Sequence, residues 1–538
     1  MLDSISIVTT SGSQSRPCLI AGHKVVIDLS GFENPEIQSF DLVFTFKHAI
    51  SEIRNHDYNW LPVTGEHVAS GFSPKVIRLS NGIFVQPNFA GGIWEIKKKQ
   101  PRVLFWRFNP KDAAPLTVYT KPHNDKKLAK ANSNISFPEN PALLFSAKNA
   151  IEFSRSVYPF SAIACFTDHC DFDTPESLQL QREFFRDCGV KVTKGFFMNH
   201  FSKRADNASF ENDAAELIAW KDDGHELAYH SLSQSIKTDE ESFGDFSGFV
   251  PPFPDIPTWI DHGYQPYNFS LYQSSVMTDA VYAAKLRSKN IHTLWNYIDS
   301  GTATTGVINQ INPDDFTLGR FYEGIKKLKF SDRAGMMIKS IMFHYYADEQ
   351  LVTGYKRTAG HFKKLAHQKK ISSLVPLFQN IIKLAGPLFK IALHWNVHKN
   401  KPFRLAKYAP VFFRHRIGAD DFYVFQTLEM VDFRKALCSD NINKLIFENG
   451  LFIAHTYFSV PMAYHTGRVF STPDTIDAEV SKNFHYLGTK IKEQKIWNPT
   501  LNELVLFLNN FEKILLDVDH DGTIIVKQAA SLTYRTVN

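Results

Sequence analysis

Cysteine is scarce: five in 538 residues, and Cys18, Cys165, Cys170, Cys188 and Cys438 show no paired spacing and no CxxC. A disulfide framework is therefore excluded, and the thiols are expected to be reduced. Nucleotide loops are missing too, with no GxGxxG after a strand and no GxxxxGK[ST], and neither HExxH nor GxSxG occurs. The N-terminal stretch MLDSISIVTTSGSQSRPCLIAGHK lacks a basic region followed by an apolar core, which implies a cytoplasmic address. No internal repeat and no low-complexity tract is found. The most informative absence is local: from Leu351 to Ala419 there is no Asp or Glu, against fourteen Lys and Arg. The chain as a whole carries a formal charge of only +5, so the remaining residues sum to −9.

What is present is the composition of a folded protein, 43% hydrophobic and 21% charged, long enough for two or more domains or one large domain with insertions. From Lys24 to Thr120 short β-branched and aromatic runs (VVIDL, LVFTF, GIFVQP, RVLFWRF, LTVYT) alternate with turn residues, predicting a β-rich N-terminal domain over 1–140. The polar, proline-punctuated stretch 124–141 reads as a linker. Strand and helix then alternate: SAIACF, SLQLQREFFRDC, VKVTKGFF, ENDAAELIAWKDDG and HELAYH. That order predicts parallel strands in an α/β layer or barrel over 141–538, with reactive groups at the C-terminal strand ends. A mainly helical basic insertion is expected to interrupt it over 280–440. Near the C-terminus, a helix opened by Asn-Pro-Thr and a short strand, TIIVK, are expected.

Two strand ends carry the chemistry. The first runs into Thr167-Asp168-His169-Cys170-Asp171-Phe172-Asp173, three carboxylates and an imidazole that are costly to bury unless they meet a cation or one another. The same residues also suit a solvated loop, with Asp173 or Thr174 capping a helix before Pro175. The third strand ends in Gly224-His225-Glu226-Leu227-Ala228-Tyr229-His230-Ser231, where alternation puts His230 on the face of Ala228 and Glu226.

Strand-Thr-Asp-His, Lys-Gly-Phe-Phe and Gly-His-Glu-Leu-Ala-Tyr-His-Ser in this order resemble the opening half of the polysaccharide deacetylase (NodB-homology) family of carbohydrate esterases. IAHTYF, with His455, is similar to that family's late strand. The resemblance covers roughly residues 150–270 and 440–515. It implies a distorted (β/α) barrel, with Asp168 as catalytic base, His230 as a metal ligand and His455 as general acid. Two departures follow: His169 stands where the family has its second aspartate, and Gln234 where the second histidine of its His-Ser/Thr-x-x-His motif belongs. Histidine is an acceptable zinc ligand and glutamine a poor one. Replacement ligands are sought in Asp171, and in His262 of Thr258-Trp259-Ile260-Asp261-His262-Gly263, with Asp173 and His200 as further candidates. Asp261, Trp259 and Asp299 are candidate substrate-binding residues. Trp295–Gly301 reads either as a sugar platform or as a packed helix-to-turn junction.

Within the acid-free window, Ser372 to Val397 is apolar enough to raise a membrane question, which Lys383, Lys390, Pro376 and Pro387 answer against a span. At about 100° per residue, Gln379, Lys383, Lys390 and His394 fall in one narrow polar stripe. Lys363, Lys364, Lys369, Lys370, Lys399, Lys401, Arg404 and Lys407 add a cationic rim, each worth ~1 kcal/mol at an anionic leaflet. Docking of 351–419 on an anionic membrane, a buried helical subdomain with a basic face, and nucleic-acid binding compete here. The acidic remainder and the absence of any nucleic-acid motif speak against nucleic acid as a partner.

The function expected from the resemblance is zinc- or other divalent-metal-dependent removal of an acetyl group from a sugar, lipid-linked or nucleotide-linked. The setting would be assembly of a surface polysaccharide or glycolipid at the inner face of the membrane. The opposing expectation is a non-catalytic carbohydrate- or complex-binding protein on a degenerate barrel.

Overall fold

Along Phe40–Phe46 every second side chain is buried, Phe40, Leu42, Phe44 and Phe46. Burial with a period of two belongs to a strand with one face on a core. The computed structural model describes residues 1–10, 12–15, 18–29, 39–120, 125–130, 135, 137–201, 206–234, 237–263, 265–274, 277–368, 371–408, 411–459 and 468–538. In it the N-terminal strands form two antiparallel sheets. One has Phe40–Phe46 and Val103–Phe108 at its centre, the other Ala142–Ser146 and Phe84–Pro87. Ile7, Phe44, Trp94 and Trp106 of the first meet Ile27, Ile53, Ile77, Val85 and Phe145 of the second in one core, a β-sandwich.

The sandwich does not end at residue 140, because Ala142–Ser146 is one of its inner strands. Nor is the expected linker simply a linker: Asp125–Lys130 pairs with Pro115–Thr120, and residues 124, 131–134 and 136 lie outside the described residues. A lysine-rich strand is silent to hydrophobic periodicity, because pairing satisfies its backbone whatever its side chains are. The C-terminus returns to this module, with Tyr534–Val537 pairing to Ala150–Phe153 and Leu516 N donating to Asn88 O (2.8 Å).

The second module is built on strands β1 (Ala162–His169), β2 (Thr193–Phe196), β3 (Glu226–His230), β4 (Thr258–Ile260), β5 (Thr293–Trp295), β6 (Asp299–Ala303), β7 (Phe412–Ile417), β8 (Asp420–Phe425), β9 (Thr427–Met430) and β10 (Leu451–Tyr457). From β10 through β1, β2, β3 and β4 to β5 the neighbours pair in parallel. β5 turns through Tyr297, whose backbone is left-handed (φ 67°), into β6, and β8 passes through Gln426 into β9. β5 pairs with β8, β6 with β9, and β9 with β10, giving the order β6-β9-β10-β1-β2-β3-β4-β5-β8-β7. β7 lies antiparallel on β8. Ile163, Cys165, Ala228, Ile260, Trp295 and Ile453 are buried together in one cluster, drawn from β1, β3, β4, β5 and β10.

Helices α1 (Pro175–Cys188), α2 (Phe210–Asp222), α3 (Asp239–Gly248) and α4 (Asp279–Ser288) alternate with β1 to β5. α1 begins where the sequence signals it: Thr174 accepts from Ser177 N, Ser177 Oγ accepts from Thr174 N, and Pro175 takes the first turn. Between β6 and β7 lie α5 (Leu318–Ile325), α6 (Phe330–Ser340), a π-helical turn (Ile341–Tyr346), α7 (Glu349–Gln368) and α8 (Leu374–Leu393). The expected 280–440 insertion is thus too wide at both ends, since α4, β5, β6 and β7–β9 belong to the strand-and-helix framework. Those strands are three to six residues long and carry Asp, Glu, Arg and His, too short and too mixed for periodicity to register.

Lys75 is buried in the sandwich with its Nζ donating to Gly71 O (2.8 Å), and burial pushes its ammonium down to about 7. Above that pH the folded chain releases a proton that the unfolded chain keeps until ~10.4. Stability should therefore rise from pH 7 towards pH 10. Thermal unfolding at pH 6, 7.5 and 9 checks this: Lys75→Met should be more stable at neutral pH and should flatten the rise. An unchanged slope in the variant counts against it.

Candidate metal centre at the strand ends

Alternation along β1 decides which groups meet. Ala162, Ala164 and Phe166 pack outward with Phe184 and Phe185 of α1 and Trp220 of α2, whereas Ile163 and Cys165 belong to the inner cluster. Asp168 continues the outward set. Its carboxylate accepts from Lys194 Nζ and from Gly195 N (2.9 Å). Lys194 also donates to Asp173 Oδ2 (2.6 Å) and Gln181 Oε1 (3.0 Å), all of them buried. The two carboxylates hold Lys194 charged well above the usual lysine range, outweighing the opposing effect of its burial. Gly195 is required there, since a Cβ would stand 2.6 Å from Asp168 O. Asp168, expected as the catalytic base, is thus a structural ion-pair partner, and so is Asp173.

His169 continues the inward set and meets side chains from three other positions. Its Nδ1 lies 2.9 Å from His230 Nε2 at the end of β3. Asp171 Oδ2 is 3.0 Å from the same His230 nitrogen, and His262 Nδ1, just after β4, is 3.2 Å from it and 3.3 Å from Asp171 Oδ1. His169, Asp171, His230 and His262, the four expected ligands, therefore converge. Gln234, which stands in the place of a family histidine, donates to Asp171 Oδ1 and orients it. Phe197 stacks on His230 and Tyr457 on His169 (ring centroids 5.1 and 4.4 Å).

Hydrogen-bond polarity fixes the protons. Thr167 Oγ1 has one hydrogen and donates it to Ala454 O (3.0 Å), so it accepts from His455 Nδ1 (2.6 Å). Burial, then the neighbouring His230, hold His455 well below the usual histidine range; it is neutral, and its Nε2 accepts from His169 Nε2 (2.6 Å). His169 Nδ1 is left with a lone pair. In the same way Ile260 O, which can only accept, takes His230 Nδ1–H (3.3 Å), and His230 Nε2 faces His169 Nδ1 and Asp171. Asp171 adds a negative charge: burial would raise its carboxyl, but His262, His230 and the hydrogen bonds of His230 and Gln234 outweigh it and hold it well below the usual range. His169 Nδ1, His230 Nε2 and a carboxylate oxygen of Asp171 lie within 4.8 Å of one another, with His262 Nδ1 3.2 Å from His230 Nε2. Tetrahedral zinc, with bonds of roughly 2.0–2.1 Å, keeps its ligand atoms roughly 3.3 Å apart, close to these spacings. A divalent cation in place of the proton shared by His230 and Asp171 would suit this set.

The other expected residues lie elsewhere. Trp259 is fully buried on the outer face among Tyr229, Phe246 and Tyr267, and Asp261 accepts from Trp259 Nε1 (3.1 Å), Phe269 N (3.0 Å) and Ser270 N (2.9 Å). Neither reaches the histidines; both answer to strand alternation, odd-numbered residues of β4 pointing outward. His200 is also outside the cluster, its backbone N donating to Glu211 (2.8 Å). Trp295, in a strand rather than a helix-to-turn junction, lies against His455 (4.0 Å between centroids) and Tyr297 (5.1 Å). Tyr297 and Asp299 line a cavity of about 420 Å³ together with Glu429, Lys339, His344 and Lys111. Glu429 is in register with His455, accepts from Thr302 Oγ1 (3.0 Å) and pairs with Lys339. Sequence reasoning missed Glu429 as a neighbour of the site, and the inward parity of β1 was the one signal that separated His169 from Asp168.

No family model matches the chain, and a search of curated proteins finds no match. Among solved structures it is similar to a xylosidase from Aspergillus niger, at 10% identity and a TM-score of 0.19, over 56% of this chain and 42% of that one. A Flavobacterium johnsoniae dextranase, in structures with isomaltotriose and with glucose, is similar at 8% identity and a TM-score of 0.21, over 55% of this chain and 38% of that one. The chain thus spans less than half the length of these proteins, and likeness at this level carries no argument about the site.

Asp168→Asn distinguishes the two places this carboxylate was assigned. Bound metal per chain should stay unchanged, while urea unfolding should show a loss on the order of 3 kcal/mol from the weakened buried pair. Loss of metal at unchanged stability would return Asp168 to the site.

Proposed function

We propose that the chain is a divalent-metal-dependent hydrolase that removes an acetyl group from a sugar. The observation that carries the metal is the convergence of His169 Nδ1, His230 Nε2 and an Asp171 oxygen within 4.8 Å of one another. His169, His230, Asp171 and His262 would hold the ion. When bound, a divalent cation such as zinc lowers the pKa of a bound water towards ~7 and polarises a carbonyl. The sugar and the acetyl group come from the resemblance of Gly224–Ser231 and of the His455 strand to carbohydrate deacetylases. The cavity of about 420 Å³, with tyrosine, carboxylate and lysine walls, has the mixed lining that sugar hydroxyls use.

The chain's own residues act on position and charge. His455, tied to Thr167 and to His169, sets the tautomer of His169 and so the direction of its lone pair, as second-layer partners of metal histidines do. Gln234 holds Asp171 in place, and Ile260 O does the same for His230. His455 is therefore a positioning residue in this arrangement.

A second reading, carbohydrate binding without turnover, is favoured by one observation: Asp168 is turned away, and both nitrogens of His455 are engaged. Elemental analysis together with acetate release from chito-oligosaccharides and O-acetylated xylan separates the two. About one equivalent of metal is expected, lost in His230→Ala, with acetate release that stops on chelation and returns on adding the ion. Metal bound without release on any acetylated sugar would favour the binding protein, and a chain free of metal would overturn the hydrolase.

A further inference from the structure

α8 exposes what a soluble helix normally hides. Leu377, Leu384 and Ile391, spaced by seven residues, are buried, and α7 packs along the helix, with Gly354 of α7 opposite Leu384. At about 100° per residue, these three residues span a sector some 40° wide, centred near 340° when Leu377 is set at zero. Ile381, Phe378, Phe389, Ile382, Val375 and Leu393 then fall between about 40° and 160°, a continuous apolar strip. Phe378 is 65% exposed, Ile382 68% and Phe389 68%. Gln379, Lys390, Lys383 and His394 follow at about 200–260°. The helix thus has three sectors: one against the protein, one apolar and open, and one cationic beside it.

By length and composition α8 is apolar enough to cross a bilayer, with a mean hydropathy of 1.2 and 17% of the window buried. Its third sector, Pro387 inside the helix and the attachment of Leu384 and Ile391 to the main core oppose a crossing. A helix lying flat satisfies all three, with its apolar strip among acyl chains and its lysines extended to head groups.

We propose that α8 docks this protein on an anionic bilayer surface, with the apolar strip from Val375 to Leu393 inserted and Lys383 and Lys390 at the phosphates. Charge complementarity selects this occupant. From Leu351 to Ala419, which holds all of the hairpin but Glu349 and Gln350, there is no acidic residue. Of the basic residues there, Arg404 and Lys407 are committed to Asp112, Glu66 and Glu95 of the N-terminal module and Arg414 and Arg416 to Glu512 and Asp421, whereas Lys356, Arg357, Lys364, Lys383, Lys390, Lys399 and Lys401 lie along or beside the hairpin. Lys369 and Lys370 are outside the described residues, as is the side chain of Lys363. α7 also contributes Glu349 and Val352 to the wall of the 420 Å³ cavity, so a docked hairpin carries that cavity to the lipid. The inference does not rest on the hydrolase reading.

Co-sedimentation of the full chain with phosphatidylcholine vesicles, with and without 30% phosphatidylglycerol, tests it at low salt and at 0.5 M salt. Binding is expected to the anionic vesicles and to weaken with salt. Lys383→Ala/Lys390→Ala should weaken it roughly tenfold or more. Ile382→Glu/Phe389→Glu should abolish it at unchanged thermal midpoint and metal content, since both side chains are mostly exposed. Equal binding to neutral and anionic vesicles, or none to either, overturns the proposal. So does a dimer in light scattering that Ile382→Glu/Phe389→Glu dissolves while lipid binding is absent, because the strip would then be covered by a second copy.

Discussion

Lys194 is the fixed point of the site although it touches none of the clustered histidines. Its ammonium is buried between Asp168 and Asp173 and bonded to Gln181, and Gly195 N completes the shell of Asp168. A buried charge left alone costs several kcal/mol, so this end of β1 has one arrangement that satisfies all its members. With Asp168 drawn outward to Lys194, the pleat sends His169 inward. The contacts of His169 with His230 and His455 follow from that choice.

On the inner side, the ordering runs along hydrogen bonds that begin at backbone carbonyls. Ala454 O sets Thr167, Thr167 sets His455 and His455 sets His169; separately, Ile260 O sets His230. Carbonyls of neighbouring strands cannot donate, so each chain transmits one polarity to the histidine at its end. The meeting of His169 and His230 beside a carboxylate is a property of the strand ends as a group. It needs the ends of β10, β1, β2, β3 and β4 in one parallel sheet. Gln234, a poor ligand, is useful here because it donates to the carboxylate.

The insertion adds two things to that framework. Its α6 and π-helical turn bring Lys339 and His344 to Glu429 and Thr302, closing one wall of the cavity beside Trp295 and Tyr297. Its α7–α8 hairpin carries much of the basic surplus, from Lys356 to Lys390.

Much of this was legible in the residues themselves. Alternation of strand and helix, the Thr174-Pro175 start of α1, the parallel strand ending in His230, and the ligand candidates His169, Asp171, His230 and His262 all rest on local pattern, which neighbours along the chain determine. The polar stripe of α8 is likewise a matter of helical period. Other features were decided only by tertiary structure. Whether Asp168 or His169 faces the inner cluster depends on Lys194 from β2, and the outward place of Trp259 and Asp261 depends on the packing of α3 and the 265–274 loop. β5, β6 and β9 are too short to register by period, and they exist as strands because partners distant in sequence satisfy their backbones. Sequence alone determined which chemical groups lie near strand ends, since that is local; which of them meet is set by pairing and burial between segments up to about 290 residues apart, as with Thr167 and His455, and no local pattern encodes it.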